Sequence, residues 1–250
     1  MRVRHLFRFF IVTTLWAFGS LLFSAIAAPE GCFFAEGEKR LAEFTNDELL
    51  SRKMPAELAF LPEAISNLSM PGNRAGIWAL DALDAVRYGL KVDLNHDQRY
   101  DDTLCTRAAL GCLQEYYDRY REWNLALAAY LHSPAVLSAC LQSGDSTLLL
   151  HTLTLSDLGL MEKSDHSSPA EEMYTLYFDR PISLEAVTHL TGISAKEFSG
   201  TNPIFRSDPL VPLEGYGLKF PSYVAKTIEV DSLYAVTDRM VAAREAELLK

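Results

Sequence analysis

Acidic residues cluster between positions 93 and 101, where carboxylate oxygens could bind a cation. Residues 93–97 (DLNHD) have the D-x-[DN]-x-[DN] spacing with which a calcium-binding loop begins, and Asp101 falls at the ninth position of such a loop. The sixth position is Gln98 where the loop needs glycine, and the twelfth is Leu104 where it needs a bidentate glutamate. We therefore expect this stretch to brace a loop without binding calcium.

Other side chains that could do chemistry show no recognisable pattern. The six histidines and four cysteines lack zinc-ligand spacing, and no glycine-rich phosphate loop is present. Ser66 and Ser133 have neither a histidine partner nor the elbow motif of a serine hydrolase. Cys105 and Cys112, seven residues apart on one predicted helix, are too distant for a disulfide and are expected to be free thiols. We predict no metal and no cofactor.

Helical periodicity dominates the first half of the chain. The pattern predicts helices over residues 56–66, 77–88, 103–121 and 123–132. Pro55 suits the first turn of its helix, and Pro62 is expected to kink the same helix. We place a helical domain at residues 35–150.

The second half has a different composition. After a polar stretch within residues 145–170, which is typical of a solvated loop, the pattern predicts alternating short strands and helices. These elements are a strand at 173–178, helices at 184–191 and from 195, and a strand at 216–220. The order predicts a small α+β unit at residues 171–224, followed by an amphipathic C-terminal helix at 230–250.

Residues 1–27 are predicted to be a signal peptide. Three arginines precede an uncharged run at 9–28, and Ala25-Ile26-Ala27 suits cleavage after Ala27. An uncleaved anchor is the alternative, because about 20 apolar residues can span a bilayer. Cys32 follows Gly31 as a lipidated cysteine would, so lipidation at Cys32 stays open as a second route to the membrane.

Charge limits the partners that we expect. The 250 residues carry 23 basic and 33 acidic side chains, a formal net charge of −10. This excess of acid argues against a nucleic-acid partner and against binding to anionic lipid through a basic patch. A hydrophobic content of 49% indicates a folded protein.

Residues 54–62 (MPAELAFLP) resemble the opening of the lytic murein transglycosylase D family, M-P-x-E-L-A-x-L-P-x-x-E-S. The resemblance continues at residues 76–78 (GIW), 88–90 (YGL) and 123–130 (WNLALAAY), the last of which is similar to the family's D-W-x-L-A-x-A-A-Y-N. It implies a mainly α, lysozyme-like SLT domain and peptidoglycan lytic transglycosylase activity.

The same resemblance implies that catalysis is lost. In this family one glutamate protonates the leaving oxygen between N-acetylmuramic acid and N-acetylglucosamine, then acts as a base while the sugar's 6-hydroxyl closes a 1,6-anhydro ring. Counting without gaps from Met54, the position of that glutamate falls on Ile65, beside the family's serine, Ser66. An isoleucine has no proton to give. We therefore lean towards a protein that is not an enzyme.

Further cleft positions follow from the resemblance. The family's Gln after the Trp is Ala79 and its Asn after A-A-Y is Leu131, so two polar positions have become apolar. Tyr130 matches the family's cleft tyrosine and, with Ser66, is expected to contact glycan, although simple packing is the alternative for Tyr130. Glu63 is the fallback acid of a divergent but active enzyme. However, Glu63 lies two residues before Ile65, about 200° around a helix and on the other face.

The second half resembles LysM modules through residues 182–187 (ISLEAV), 190–194 (LTGIS) and 217–221 (GLKFP). Such modules are small βααβ folds that hold N-acetylglucosamine-containing glycans, and the alternative is a unit that only packs on the helical domain. Together these resemblances predict an exported periplasmic protein that binds peptidoglycan glycan strands or a cell-wall protein. A purely structural partner protein is the remaining alternative.

Overall fold

The computed structural model describes residues 33–66, 68, 72–144, 146–161, 173–225 and 228–248. The predicted signal peptide and Cys32 lie outside them, as do residues 145 and 162–170 of the predicted loop. The α-helices are α1 (Phe33–Ser51), α2 (Leu61–Ser66), α3 (Ala82–Arg87), α4 (Asp102–Tyr120), α5 (Trp123–His132), α6 (Pro134–Ser143), α7 (Thr147–Leu150), α8 (Leu155–Gly159), α9 (Leu184–Thr191), α10 (Ala195–Thr201), α11 (Ser222–Ala225) and α12 (Val230–Leu248). The strands are β1 (Arg74–Ala75), β2 (Leu80–Asp81), β3 (Met173–Leu176) and β4 (Leu218–Pro221).

The first part, residues 33–161, is the helical domain, and its centre is the pair α4 and α5. The run 126–131 in α5 is buried throughout, because its small alanines let α4 approach closely. Asp101 caps α4 by accepting a hydrogen bond from the backbone N–H of Leu104, at 2.9 Å. The mainly α fold that the sequence predicts is confirmed, and the bounds of α5 agree with the prediction.

Two predicted helices differ from the structure. Residues 56–66 form a 3-10 helix (Ala56–Phe60) followed by α2, and only residues 82–87 of the predicted helix at 77–88 are α-helical. The missing part is a turn between β1 and β2, in which Gly76 and Ala79 take the left-handed values φ 76° and 44°. A Cβ on Gly76 would lie 1.9 Å from the carbonyl oxygen of Arg99, so only glycine fits there.

The second part, residues 173–225 with α12, is the C-terminal unit. Strands β3 and β4 pair antiparallel, with Met173 opposite Pro221 and Leu176 opposite Leu218, and α9 and α10 lie between them in the chain. The predicted order of strand, helix, helix and strand is therefore present. The buried side chains of its core include Ile182, Val187, Phe198, Phe220 and Leu233. The polar stretch predicted as loop from residue 145 contains α7 and α8. Thr154 and Asp157 form a capping box that starts α8.

Backbone hydrogen bonds join the C-terminal unit to the loop before α4. The N–H of Asp97 donates to the carbonyl of Ile204 at 2.9 Å, and the N–H of Arg206 donates to the carbonyl of Asn95 at 2.8 Å. Both parts belong to one compact unit, residues Gly31–Lys250. These main-chain contacts hold the C-terminal unit against the loop before α4.

A buried ion pair supports this junction. The carboxylate of Asp97 accepts two hydrogen bonds from the Arg99 guanidinium, at 2.9 and 2.7 Å, and both side chains are at most 2% exposed. Arg99 also donates to the carbonyl of Leu80 in β2, at 3.1 Å. Asp97 and Arg99 thus link the hairpin of the helical domain to the loop that contacts the C-terminal unit.

Two further observations concern the described residues alone. Within them, no single helix has both the length and the apolar composition of a membrane span. The bent pair α5 and α6 reaches that length and composition only when the two helices are counted together. Cys105 and Cys112 are buried free thiols, and burial raises the pKa of each to about 12.

Candidate functional site

Helix α2 positions the residue that stands where the resemblance expects a catalytic glutamate. Ile65 is 3% exposed and packs in the apolar core of the helical domain. The next residue, Ser66, is exposed and donates its hydroxyl to the carbonyl of Glu63, at 2.7 Å. The side chain at position 65 therefore contributes hydrocarbon to the core and cannot transfer a proton.

Glu63 and Tyr130 line different pockets. Glu63 borders a largely apolar groove of about 540 Å³ between α1, the 3-10 helix and α2, lined among others by Leu41, Phe60 and Ile77. Tyr130 borders a second pocket, of about 410 Å³, which we call the Tyr130 pocket. Its lining includes Arg74, Asp81, Asp84, Tyr130 and Ser133. Of the pockets lined by the described residues of this domain, neither brings the fallback acid and the predicted cleft tyrosine together.

The hydroxyl of Tyr130 is used inside the domain. It donates to the carbonyl of Trp78 at 2.7 Å, and Trp78 in turn donates its indole N–H to the hydroxyl of Thr106 at 2.8 Å. Burial raises the pKa of Tyr130 well above its usual value, so the phenol stays neutral. This network fixes the turn that carries Ala79.

Arg74 is a feature of the Tyr130 pocket that sequence reasoning missed. Its guanidinium donates to the carbonyls of Ala79 and Tyr130, at 3.0 and 2.8 Å, and lies 5.8 Å from the centre of the Tyr130 ring. Arginine remains protonated in proteins, so this pocket carries a fixed positive charge. An arginine two residues before the G-I-W motif carries no motif signal, and its role depends on the β1–β2 hairpin that folds it back.

The charge of Arg74 also affects the pKa of a histidine in α5. The pKa of His132 is lowered, first because burial disfavours the charged ring and second because Arg74 is nearby. Its Nε2 lies 3.0 Å from the hydroxyl of Thr152, which fixes the ring. The imidazole is therefore biased towards its neutral form.

Carboxylates do line the Tyr130 pocket, but protein groups already bind them. Asp81 accepts a hydrogen bond from the N–H of Leu83 at 2.8 Å and so caps α3. Asp84 accepts a hydrogen bond from Arg87 at 2.9 Å, and Glu115 accepts one from the same guanidinium at 2.8 Å. Arg87 and Tyr88 hold the pKa of Glu115 below its usual value, against the opposing effect of desolvation.

The acidic loop at residues 93–101 is likewise satisfied by the protein. Asp93 accepts hydrogen bonds from the N–H groups of Asn95 and His96, at 2.8 and 2.7 Å. The carboxylate of Asp97 is paired with Arg99 and, at 3.4 Å, with Arg206 of the C-terminal unit. Across the part of the chain that the structure describes, no group of three or more His, Cys, Asp or Glu side chains could hold a metal ion.

Comparison with known proteins places the helical domain in a family. The family model for the transglycosylase SLT domain matches residues 41–139. Residues 41–139 are an SLT domain. The chain is also 35% identical, over 88 residues, to the membrane-bound lytic murein transglycosylases D of Escherichia coli (strain K12) and of Escherichia coli O6:H1. The matched segment is 33% of this chain and 20% of each relative, so the chain matches about a fifth of their length.

Within the SLT domain, the residues that build the fold are in place. Gly76, Trp78 and Tyr130 hold the turn before α3, and the alanines of α4 and α5 pack between those helices. The positions at which the resemblance expects polar cleft groups carry Ile65, Ala79 and Leu131 instead. The structure brings Tyr130, Ala79 and Arg74 together and places Ser66 on the surface.

Proposed function

We propose that the SLT domain of this chain does not cleave glycan and that the protein binds peptidoglycan glycan strands. The observation that carries the proposal is Ile65, 3% exposed, at the position of the family's glutamate. General acid and base assistance contributes about 10²- to 10⁴-fold to a rate, which corresponds to about 3–5 kcal/mol of barrier. A hydrocarbon side chain supplies none of it.

Electrostatics supports the same proposal. Glycosidic cleavage develops positive charge on the sugar ring, and a carboxylate normally stabilises that charge. In the Tyr130 pocket, the carboxylates of Asp81, Asp84 and Glu115 are already hydrogen-bonded to protein groups. The guanidinium of Arg74, held by the carbonyls of Ala79 and Tyr130, adds a fixed cation that opposes the developing charge, so the pocket is less suited to cleavage.

We infer that the protein acts in the periplasm after export through residues 1–27, with anchoring by an uncleaved leader or by lipidation at Cys32 as the alternatives. The similarity to relatives named membrane-bound murein transglycosylases supports a place in the cell envelope. We also propose that residues 171–224 act as a LysM-like unit, for which the order β3, α9, α10, β4 is the support.

One preparation can test binding and cleavage together. The purified protein is incubated with sacculi, the pellet is analysed for protein, and the supernatant is analysed by mass spectrometry for 1,6-anhydromuropeptides. We expect protein in the pellet and no anhydro products. Release of anhydro products would overturn the proposed loss of catalysis. Protein that stays in the supernatant would instead favour binding to a cell-wall protein, or a purely structural role.

If products do appear, a Glu63→Gln variant identifies their source. Loss of activity in that variant would assign the proton transfer to Glu63. Unchanged activity would move the search to the carboxylates of the Tyr130 pocket.

A further inference from the structure

A cleft of about 570 Å³ lies where the start of α4 meets the C-terminal unit. We call it the junction cleft; its lining includes Tyr100, Asp102 and Thr103 from the SLT domain and Tyr177, Asn202 and Lys219 from the C-terminal unit. This volume falls in the range of small-molecule binding sites in proteins. Neither part of the chain forms the cleft alone.

Exposed tyrosine rings distinguish this cleft. Tyr177 is 66% exposed and Tyr100 is 42% exposed, although both border a concave surface. An aromatic ring offers an apolar face for packing and a hydroxyl for hydrogen bonding. A pyranose ring has the complementary chemistry, with C–H groups on its faces and hydroxyls at its edge.

The charges of the cleft are nearly balanced. Both carboxylate oxygens of Asp101 are used, one by the N–H of Leu104 and the other by the hydroxyl of Tyr216, at 2.9 and 2.6 Å. The remaining carboxylate, Asp102, interacts electrostatically with Lys219 across the cleft. With Asp101 engaged, one carboxylate and one amine remain to contact a ligand, which suits a neutral ligand rich in hydrogen-bonding groups more than a strongly charged one.

The walls of the cleft are held rigidly. The hydrogen bond that the Tyr216 hydroxyl donates to Asp101 joins the two walls. Burial, together with this hydrogen bond, raises the pKa of Tyr216 to about 12, so the hydroxyl keeps its proton. Asn202 is buried, accepts a hydrogen bond from the N–H of Lys219 and donates to the carbonyls of Lys219 and Phe198. A preorganised site loses less entropy when a ligand binds.

We propose that the junction cleft binds a short neutral saccharide of N-acetylhexosamine units, with Tyr177 and Tyr100 packing against sugar rings and Asp102 accepting hydrogen bonds from hydroxyls. The inference rests on the proposed function, because it names where the glycan strand is held. The binding site then lies outside the Tyr130 pocket, and the SLT domain contributes one wall of it.

Isothermal titration of the purified protein with the tetramer of N-acetylglucosamine tests the site. We expect Tyr177→Ala to weaken binding about tenfold, because the variant removes one aromatic contact with the sugar. A tenfold change in Kd corresponds to about 1.4 kcal/mol. Asp102→Asn is expected to weaken it about threefold to tenfold. Tyr177→Phe keeps the ring and is expected to bind nearly as the unchanged protein does.

Tyr174→Ala is the matched control. Tyr174 lies in β3, three residues before Tyr177, and is also exposed, at 49%, but it does not line the cleft, so its removal is expected to leave affinity unchanged. Equal affinity in Tyr177→Ala and the unchanged protein would overturn the site. An affinity for the tetramer that falls steeply with added salt would overturn the proposal that the ligand is a neutral saccharide. The absence of any binding of the tetramer would overturn it as well.

Pelleting with sacculi separates the two proposals. If the unchanged protein and Tyr177→Ala pellet equally, glycan binding stands and the junction cleft is the wrong site. If the unchanged protein does not pellet at all, the proposed function fails and this site fails with it. Pelleting that is lost only in Tyr177→Ala supports both.

Discussion

The Tyr130 pocket and the junction cleft are both concave and both lined with tyrosine and aspartate, yet they differ in what their polar groups already do. In the Tyr130 pocket, Arg74, Tyr130 and Asp84 are engaged with other groups of the protein. In the junction cleft, Tyr177 and Tyr100 keep much of their rings in contact with solvent. The chemistry that a pocket can offer depends on the groups that remain available, and residue types alone do not reveal it.

The largest effect is expected at Arg99, which supports both regions at once. Arg99→Met leaves the buried Asp97 without its main partner, so we expect the free energy of unfolding to fall by about 3–5 kcal/mol. Urea unfolding measures the loss. Arg206→Met is the control, because Arg206 is 44% exposed at its pair with Asp97 and should cost about 1 kcal/mol or less. Similar losses for the two variants would contradict the assigned importance of Arg99.

A smaller loss of stability is expected for the Tyr130 pocket alone. Tyr130→Phe removes the donor to the buried carbonyl of Trp78, which should cost about 1–3 kcal/mol. Tyr174→Phe, at an exposed site, should cost about 0.5 kcal/mol or less and serves as control in the same thermal or urea unfolding series. A Tyr130→Phe protein as stable as the control would show that the hydroxyl is not needed to hold the turn at Ala79.

Arg74→Gln is expected to change electrostatics more than stability. Removing the nearby cation should raise the pKa of His132, while burial still keeps it below the usual value. Because the folded-state pKa of His132 is depressed, its contribution to stability is present above the unfolded-state pKa of about 6.5 and is lost as pH falls through the folded-state pKa. Arg74→Gln should shrink that loss. NMR titration of the ring reports the pKa directly, and an unchanged value would mean that Arg74 does not act on α5.

No gain of activity is expected from Ile65→Glu. The variant restores the family's residue but leaves Arg74, Ala79 and Leu131 unchanged, and the carboxylic acid would enter a buried position in the apolar core of the helical domain. Product analysis after incubation with sacculi measures the outcome, and far-UV circular dichroism shows whether the variant is folded. Robust release of anhydro products by this single variant would show that the other changes do not matter.

Local pattern predicted much of the fold. The bounds of α5 and α9 follow from apolar spacing with a cap or glycine at the ends, and those of α4 differ by one residue. The predicted helix at 77–88 is wrong over residues 77–81, because Gly76 must approach the carbonyl of Arg99, a contact that is distant in the sequence. Periodicity carries no information about such contacts.

The sites were less predictable than the fold. The resemblance singled out Ile65 and Tyr130 as candidate positions, since motif spacing survives in the sequence. It did not identify Arg74, whose guanidinium reaches Tyr130, 56 positions away, only through the hairpin. The junction cleft depends on how two separately predicted parts meet, through Asp97 and Ile204, and no local pattern specifies that contact.

The loss of catalysis is tested most directly by a rate measurement on sacculi, with the Escherichia coli relative assayed in parallel. The missing glutamate removes acid and base assistance worth about 10²- to 10⁴-fold and also the carboxylate that stabilises the developing positive charge, so we expect the rate to fall below about 10⁻⁴ of the relative's rate. A dilution series of that enzyme calibrates the assay to this limit. We predict no products above the level of a blank without protein. Anhydro products that increase with the concentration of this protein would contradict the central claim.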